Sequence, residues 1–316
     1  MLKLLNRIVF LFVGAGLLVT TFVSAVPPDQ GTYLTAAADK HRRLQSIEGP
    51  RVILVGGSGV AFGFDSQRIE QELGMPVVNT GLHVSLGLRY MLSEVRRTVR
   101  AGDVVVVVPE YVYFVGGLRG GDRMLQLLNV FPDGWRYDRS FDEYLALGKA
   151  FPIYVQFKFE QFIHLALRSL LGTPLPQSDT YSRDAFNQYG DVVSHLDQAG
   201  VRDIPILKWS SGELNSDVVV VLNQFAEETR RAGARSIYLP QSISGPAYDR
   251  NQDTIDQIHR MLKSDLKMEI ASDPERYVVA YDRLHDTREH LNAQGQQERT
   301  ALIIEDLRSI LHSTGG

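Results

Sequence analysis

A chain of 316 residues with a formal charge of −4 and a pI near 6.1 is long enough to bury a full hydrophobic core. It has no basic patch interleaved with aromatics, so its charge pattern does not point to nucleic acid. With no cysteine, disulfides and thiolate metal sites are excluded, and the eight histidines show no paired spacing with acidic residues that would mark a metal centre.

Lys3 and Arg7 precede an uncharged apolar run, Ile8 to Val26, which ends at Pro27-Pro28-Asp29. About nineteen residues at 1.5 Å rise just cross a bilayer core, with the basic residues on the cytoplasmic side. Residues 1–28 therefore read as a membrane anchor or as a signal segment, since Val23-Ser24-Ala25 also fits a small-residue cleavage site. On either reading the remainder is exported. Residues 29–50 read as a linker with a short polar helix, KHRRLQSIEG, and no chemistry.

From residue 51 strands and helices alternate. Arg51–Val55 reads as a strand and Asp65–Leu73 as a helix that Asp65 or Ser66 can cap. Pro76–Asn79 is a second strand, Leu86–Arg100 a helix stopping at Gly102, and the valine run Asp103–Val108 a strand buried on both faces. This β-α-β-α-β order implies a parallel sheet with right-handed crossovers. From about 112 to 212 the rhythm breaks into an insertion expected to be mostly helical, with an amphipathic stretch at Phe141–Leu171. It resumes with a helix at Leu214–Ala232, a strand at Ser236–Pro240, a helix at Thr254–Ile270, a last strand at Tyr277–Tyr281 and a closing helix at Ala293–Leu311. The expected fold of residues 51–316 is an α/β, three-layer α/β/α sandwich of flavodoxin-like type.

The chemistry concentrates at two places. RVILVGGSGVAFG (51–63) delivers Ser58 onto a glycine-flanked turn after the first strand, where small neighbours admit a substrate to its hydroxyl. YDRLHDTREHLNAQG (281–295) supplies Asp282, His285, Asp286 and His290 in one loop before the last helix. The glycines at 57, 59 and 63 are one residue too long for the dinucleotide fingerprint, and no phosphate-loop lysine follows, so nothing calls for a cofactor.

Together these blocks resemble the SGNH/GDSL hydrolase superfamily, in its membrane-anchored bacterial branch linked to envelope polysaccharides. The resemblance covers roughly 51–111 and 236–311. Gly56-Gly57-Ser58 is similar to the first block, with Gly57 where an Asp is usual; Asn79-Thr80-Gly81 resembles the second, and His290-Leu291-Asn292-Ala293-Gln294-Gly295 the last. The third block departs: Pro109-Glu110-Tyr111 stands where the family presents the Asn that completes its oxyanion hole. The resemblance implies Ser58 as nucleophile, His290 as base and Asp286 as its orienting carboxylate. The oxyanion donors would be the N–H groups of Ser58 and Gly81, with Asn79 or His83 replacing the missing side chain. Asp282 and His285 form a rival acid/base pair three residues apart. The implied function is an exported serine esterase or acyl (acetyl) transferase acting on an envelope glycan, held at the inner membrane or secreted, with a membrane-bound O-acyltransferase as natural partner. The alternative is a non-catalytic assembly or carbohydrate-binding component of a polysaccharide acylation or export complex.

Overall fold

The computed structural model describes residues 1–118, 120–137, 139–172, 178–201, 203–209 and 212–312. In chain order the elements are α1 (Leu2–Ala25), α2 (Ala36–Ser46), β1 (Val52–Gly56), α3 (Ser58–Ala61), α4 (Ser66–Leu73), β2 (Val77–Asn79), α5 (Leu88–Arg96) and β3 (Val104–Val108). The middle of the chain forms α6 (Val112–Val115), α7 (Asp122–Val130) and α8 (Phe141–Leu171). Then follow α9 (Asp217–Arg231), β4 (Arg235–Tyr238), β5 (Ile243–Ser244), α10 (Gly245–Asp265), β6 (Glu269–Ile270), β7 (Val278–Val279) and α11 (Ala293–His312).

Five strands pair in parallel in the order β2-β1-β3-β4-β6, a doubly wound arrangement. Because side chains alternate across a strand, Ile53 and Val55 enter one core with Val105 and Val107, beneath α2, α5, α9 and α10. Val52 and Leu54 enter the other with Val104 and Val106, against Ile69 of α4 and Ile303, Ile304 and Leu307 of α11. The result is an α/β sandwich with helices on both faces of the sheet. Local signals hold it in register: the Asp65 side chain accepts from Arg68 N–H at the start of α4, and left-handed Gly74 closes that helix.

Three expectations change. The segment 29–50 is not a linker but part of the domain. Tyr33, Leu34, Ala36 and Leu44 are buried in the core, the Tyr33 hydroxyl donates to Leu82 O at 2.9 Å, and the Lys40 ammonium donates to Asn79 O at 3.1 Å. Burial is so complete that the Lys40 amine is pushed down to about 7. Second, the fifth strand of the sheet is β6, inside the stretch read as the end of a helix; β7 pairs instead with β5 in a separate two-stranded sheet. Two-residue strands leave no periodic pattern, and Pro246 sits inside the first turn of α10, where it is tolerated, so that helix begins at Gly245 and not at 254. Third, the insertion is helical only in its first half. Among the described residues of 178–209 there is one short 3-10 turn, Arg183–Ala185.

Arg51 is the clamp at the amino end of the sheet. Fully buried, it pairs with Asp103 at 3.2 Å and donates to the carbonyls of Leu44 and, at 2.7 Å, Thr98, joining α2 to β1, β3 and the turn after α5. Removing one partner strands the other's charge in the core. Arg51→Ala is expected to cost about 3–5 kcal/mol in chemical denaturation, whereas Arg42→Ala, on an exposed pair, changes stability by less than about 1 kcal/mol.

Candidate active site

β1 is buried along its whole length and ends at Gly56, so the chain turns into α3 with Ser58 as the first helical residue, half-buried at the carboxyl edge of the sheet. The turn admits no larger residues. A Cβ on Gly56 would lie 2.5 Å from Val60 Cγ2 and 2.7 Å from Val108 O; one on Gly57 would lie 1.9 Å from Glu110 Oε1.

The second half of the site is the loop from Leu284 to Leu291, closed by an antiparallel bridge between those residues and by His285 N–H donating to His290 O at 2.8 Å. Within it, Thr287 Oγ1 accepts from the N–H of His290 at 3.1 Å. His290 Nδ1 and Asp286 Oδ1 are 2.8 Å apart, and the Tyr181 hydroxyl donates to the other oxygen of Asp286. Burial alone would raise the Asp286 carboxyl, but the hydrogen bonds from His290 and Tyr181 and the nearby imidazoles hold it down to about 2. A carboxylate fixed on Nδ1 places the ring proton there and leaves Nε2 as the basic nitrogen.

The two halves meet through Phe62. Its N–H donates to Ser58 O at 2.9 Å, one turn along, and its ring lies flat on the His290 imidazole, centroids 3.9 Å apart and planes at 4°. Gly59 faces Glu289, whose Cβ is 3.5 Å from where a Gly59 Cβ would stand. Ser58 thus opens the turn against which the His290 loop rests. No hydrogen bond joins the Ser58 hydroxyl to His290 among the described residues.

The rival pair is not assembled. Asp282 is exposed and bridges to Arg283 at 2.8 Å, while His285 is buried against His195 with ring centroids 4.8 Å apart. Burial lowers His285, and brings His195 down to about 4, so both are neutral packing histidines. His195 Nε2, 2.8 Å from Leu291 O, braces the loop.

The oxyanion assignment needs correction at two positions. Asn79 is fully buried; its amide donates to Val60 O at 3.0 Å and Asp191 Oδ1 at 2.8 Å, and its carbonyl accepts the Gly81 N–H at 2.9 Å. Neither the Asn79 amide nor the Gly81 N–H is left to meet a substrate oxygen. His83 caps the turn after it by accepting from Ser85 N–H at 3.0 Å.

Four residues here carried no signal in the sequence or a misread one. Asp191 and Tyr181 come from the irregular part of the insertion, where no periodicity marks them. Gln241 follows β4 at the sheet's carboxyl edge, a position where function concentrates. Its Oε1 accepts Tyr111 N–H at 2.8 Å, leaving the NH₂ end turned toward Gly59, 3.8 Å from a Cβ placed there. Glu110 has both of its oxygens buried without a hydrogen-bond partner among the described residues, and desolvation, reinforced by Glu289, raises its carboxyl to about 8. A cavity of about 340 Å³ has Tyr181 in its wall, together with Thr32, Tyr33, His83, Arg123 and Phe157. Among the described residues no group of three His, Asp or Glu is disposed to hold a metal.

These features define an α/β sandwich with a glycine-flanked serine and a histidine hydrogen-bonded to a carboxylate at one sheet edge. No protein-family model matches the chain, and comparison with curated proteins finds no relative.

Glu110 gives a signed test. Folded, it stays neutral up to about pH 8, whereas unfolded it ionises near 4.5. Between those values the folded chain holds the extra proton, so stability falls as pH rises through the window. Glu110→Gln removes this dependence. The melting-temperature advantage of the variant over the parent should grow from about pH 5 to about pH 8 and then level off, and an advantage constant with pH would show that Glu110 is ionised throughout.

Proposed function

We propose that the chain is an SGNH-type serine esterase or acyltransferase that handles a small acyl group, such as acetyl, on an exported glycan. The observation that carries this reading is the 2.8 Å contact between Asp286 and His290, held by the Phe62 stack beside the turn that bears Ser58. In the reaction, Ser58 Oγ attacks the ester carbonyl carbon while its proton passes to His290 Nε2, and Asp286 stabilises the imidazolium. The alcohol leaves with that proton, giving an acyl-Ser58. Water then restores the serine with release of the acid, or a glycan hydroxyl takes the acyl group. The glycan, the acetyl group and a membrane-bound O-acyltransferase as acyl source follow from the family resemblance.

The oxyanion donors in this reading are the Ser58 N–H, which starts α3 and has no carbonyl partner in the preceding turn, and the Gln241 amide, whose free NH₂ end faces Gly59. Gln241 replaces the absent third-block Asn and displaces Asn79 from that role. A fluorophosphonate should label Ser58, with labelling lost in Ser58→Ala and His290→Ala and mostly kept in His285→Ala. Gln241→Glu, which keeps the acceptor for Tyr111 N–H and removes the donor, should lower turnover of an acetyl ester by about 10²–10³-fold with the fold intact.

The mutual engagement of Asn79 and Gly81 favours the second reading, a non-catalytic glycan-binding or assembly component. That reading takes over if the wild-type chain neither labels nor turns over esters and Ser58→Ala still supports glycan acylation in cells.

The same proposal places the domain outside the cytoplasm, tethered by α1, which is long and apolar enough to span a bilayer and has no buried residue. The chain should then stay with membranes through carbonate extraction; soluble protein beginning near Val26 would identify a cleaved signal segment.

A further inference from the structure

The terminal half of α8 is an apolar surface that the domain leaves uncovered. The helix is well specified at both ends, by a Ser140/Glu143 capping box and by left-handed Gly172, so its length is not an accident of weak termination. Up to Lys158 it packs on the domain through Leu147, Ala150 and Tyr154; beyond Lys158 no residue of α8 is buried. Phe159, Phe162, Leu165 and Leu170 are exposed, Leu170 by 81%. At helical spacing Phe159, Phe162, Ile163 and Leu170 share one side, and Glu160, His164 and Arg168 form a polar strip at intervals of four on another.

This surface is continuous with α1. The Lys158 ammonium, fully buried, donates to Val26 O just past the end of α1, and the Phe22 ring meets Phe159 at 6.4 Å and Phe162 at 5.8 Å. From Lys158 to Phe162 the contacts therefore move from the end of α1 back into its last turn. The thirteen residues after Lys158 extend about 20 Å from this junction. A cation at the carboxyl end of α1 also suits the negative end of its dipole.

We infer that Phe159–Leu171 of α8 is a second membrane-contact element, lying in the lipid interface of the leaflet from which α1 emerges, with its apolar side among the acyl chains and its Glu160-His164-Arg168 strip toward the headgroups. The polar strip makes it interfacial and not spanning. The inference rests on the reading of α1 as an anchor. Two attachments fix the orientation of the domain, because a single helix leaves it free to tumble about the tether.

The chain has no cysteine, so single thiols report cleanly. Full-length Ile163→Cys, Leu170→Cys and His164→Cys, with Leu11→Cys on α1 and Val220→Cys on α9 as references, are labelled with an environment-sensitive fluorophore and reconstituted in phosphatidylcholine vesicles containing doxyl lipid. Unchanged far-UV circular dichroism confirms that each is folded. Positions 163 and 170 are expected to show quenching by doxyl lipid about threefold or more above position 220, as position 11 does, with position 164 more open to aqueous iodide. If 163 and 170 behave as 220 does while 11 is quenched, the anchor stands and the inference fails. Absence of quenching at 11 as well removes the anchor reading and the inference with it. Shielding of 163 and 170 from both quenchers assigns the surface to a second copy of the chain and overturns the lipid assignment.

Discussion

The carboxyl edge of the sheet depends on one buried carboxylate. Asp191 accepts the N–H and hydroxyl of Ser66 at 2.9 and 2.5 Å, the Asn79 amide at 2.8 Å and the Asn187 amide at 3.1 Å. Asn79 passes the constraint on to Val60 O and Gly81 N–H. The start of α4, the end of β2, the turn of α3 and the returning insertion are thus tied at a single point. Burial pushes the Asp191 carboxyl up, and it is these donors that work against that shift. Leaving any of them unpaired in so dry a place would cost more than the bond itself contributes.

What Asp191 fixes, the rest of the site uses. Val192 N–H donates to Ala61 O at 2.8 Å and locks the insertion against α3, and the same stretch of chain, eleven residues earlier, carries Tyr181 to Asp286 and His290. A second constraint lies next to Ser58. Position 57 is glycine, and the carboxyl of Glu110, two residues past β3, fills the space beside it. The two positions are coupled: an acid at 110 requires no side chain at 57, and no side chain at 57 leaves room for the acid.

The sheet strands β1 to β3 were legible because buried parallel strands read as unbroken aliphatic runs between glycines, and α8 because its amphipathic period persists for 31 residues. The His290 loop was legible as acids and histidines crowded before a helix. β6 was not, since two residues carry no period. Nor was the role of Asn79: an Asn after a strand looks the same whether it faces a substrate or a buried aspartate 112 residues further on. Asp191, Tyr181 and Gln241 reach the site through contacts with residues more than 100 positions away in the chain, which no local pattern announces.

The position of the cavity joins the site to the membrane reading. Its walls include Thr32 and Tyr33, six and seven residues after the α1 C-cap Val26, and Phe157 beside the Lys158 that holds that C-cap. Tyr181, also in its wall, is the residue bonded to Asp286. If α1 and the tail of α8 both lie in lipid, the cavity is built on the first residues that the chain places outside the bilayer, and Tyr181 couples it to the Asp286–His290 pair.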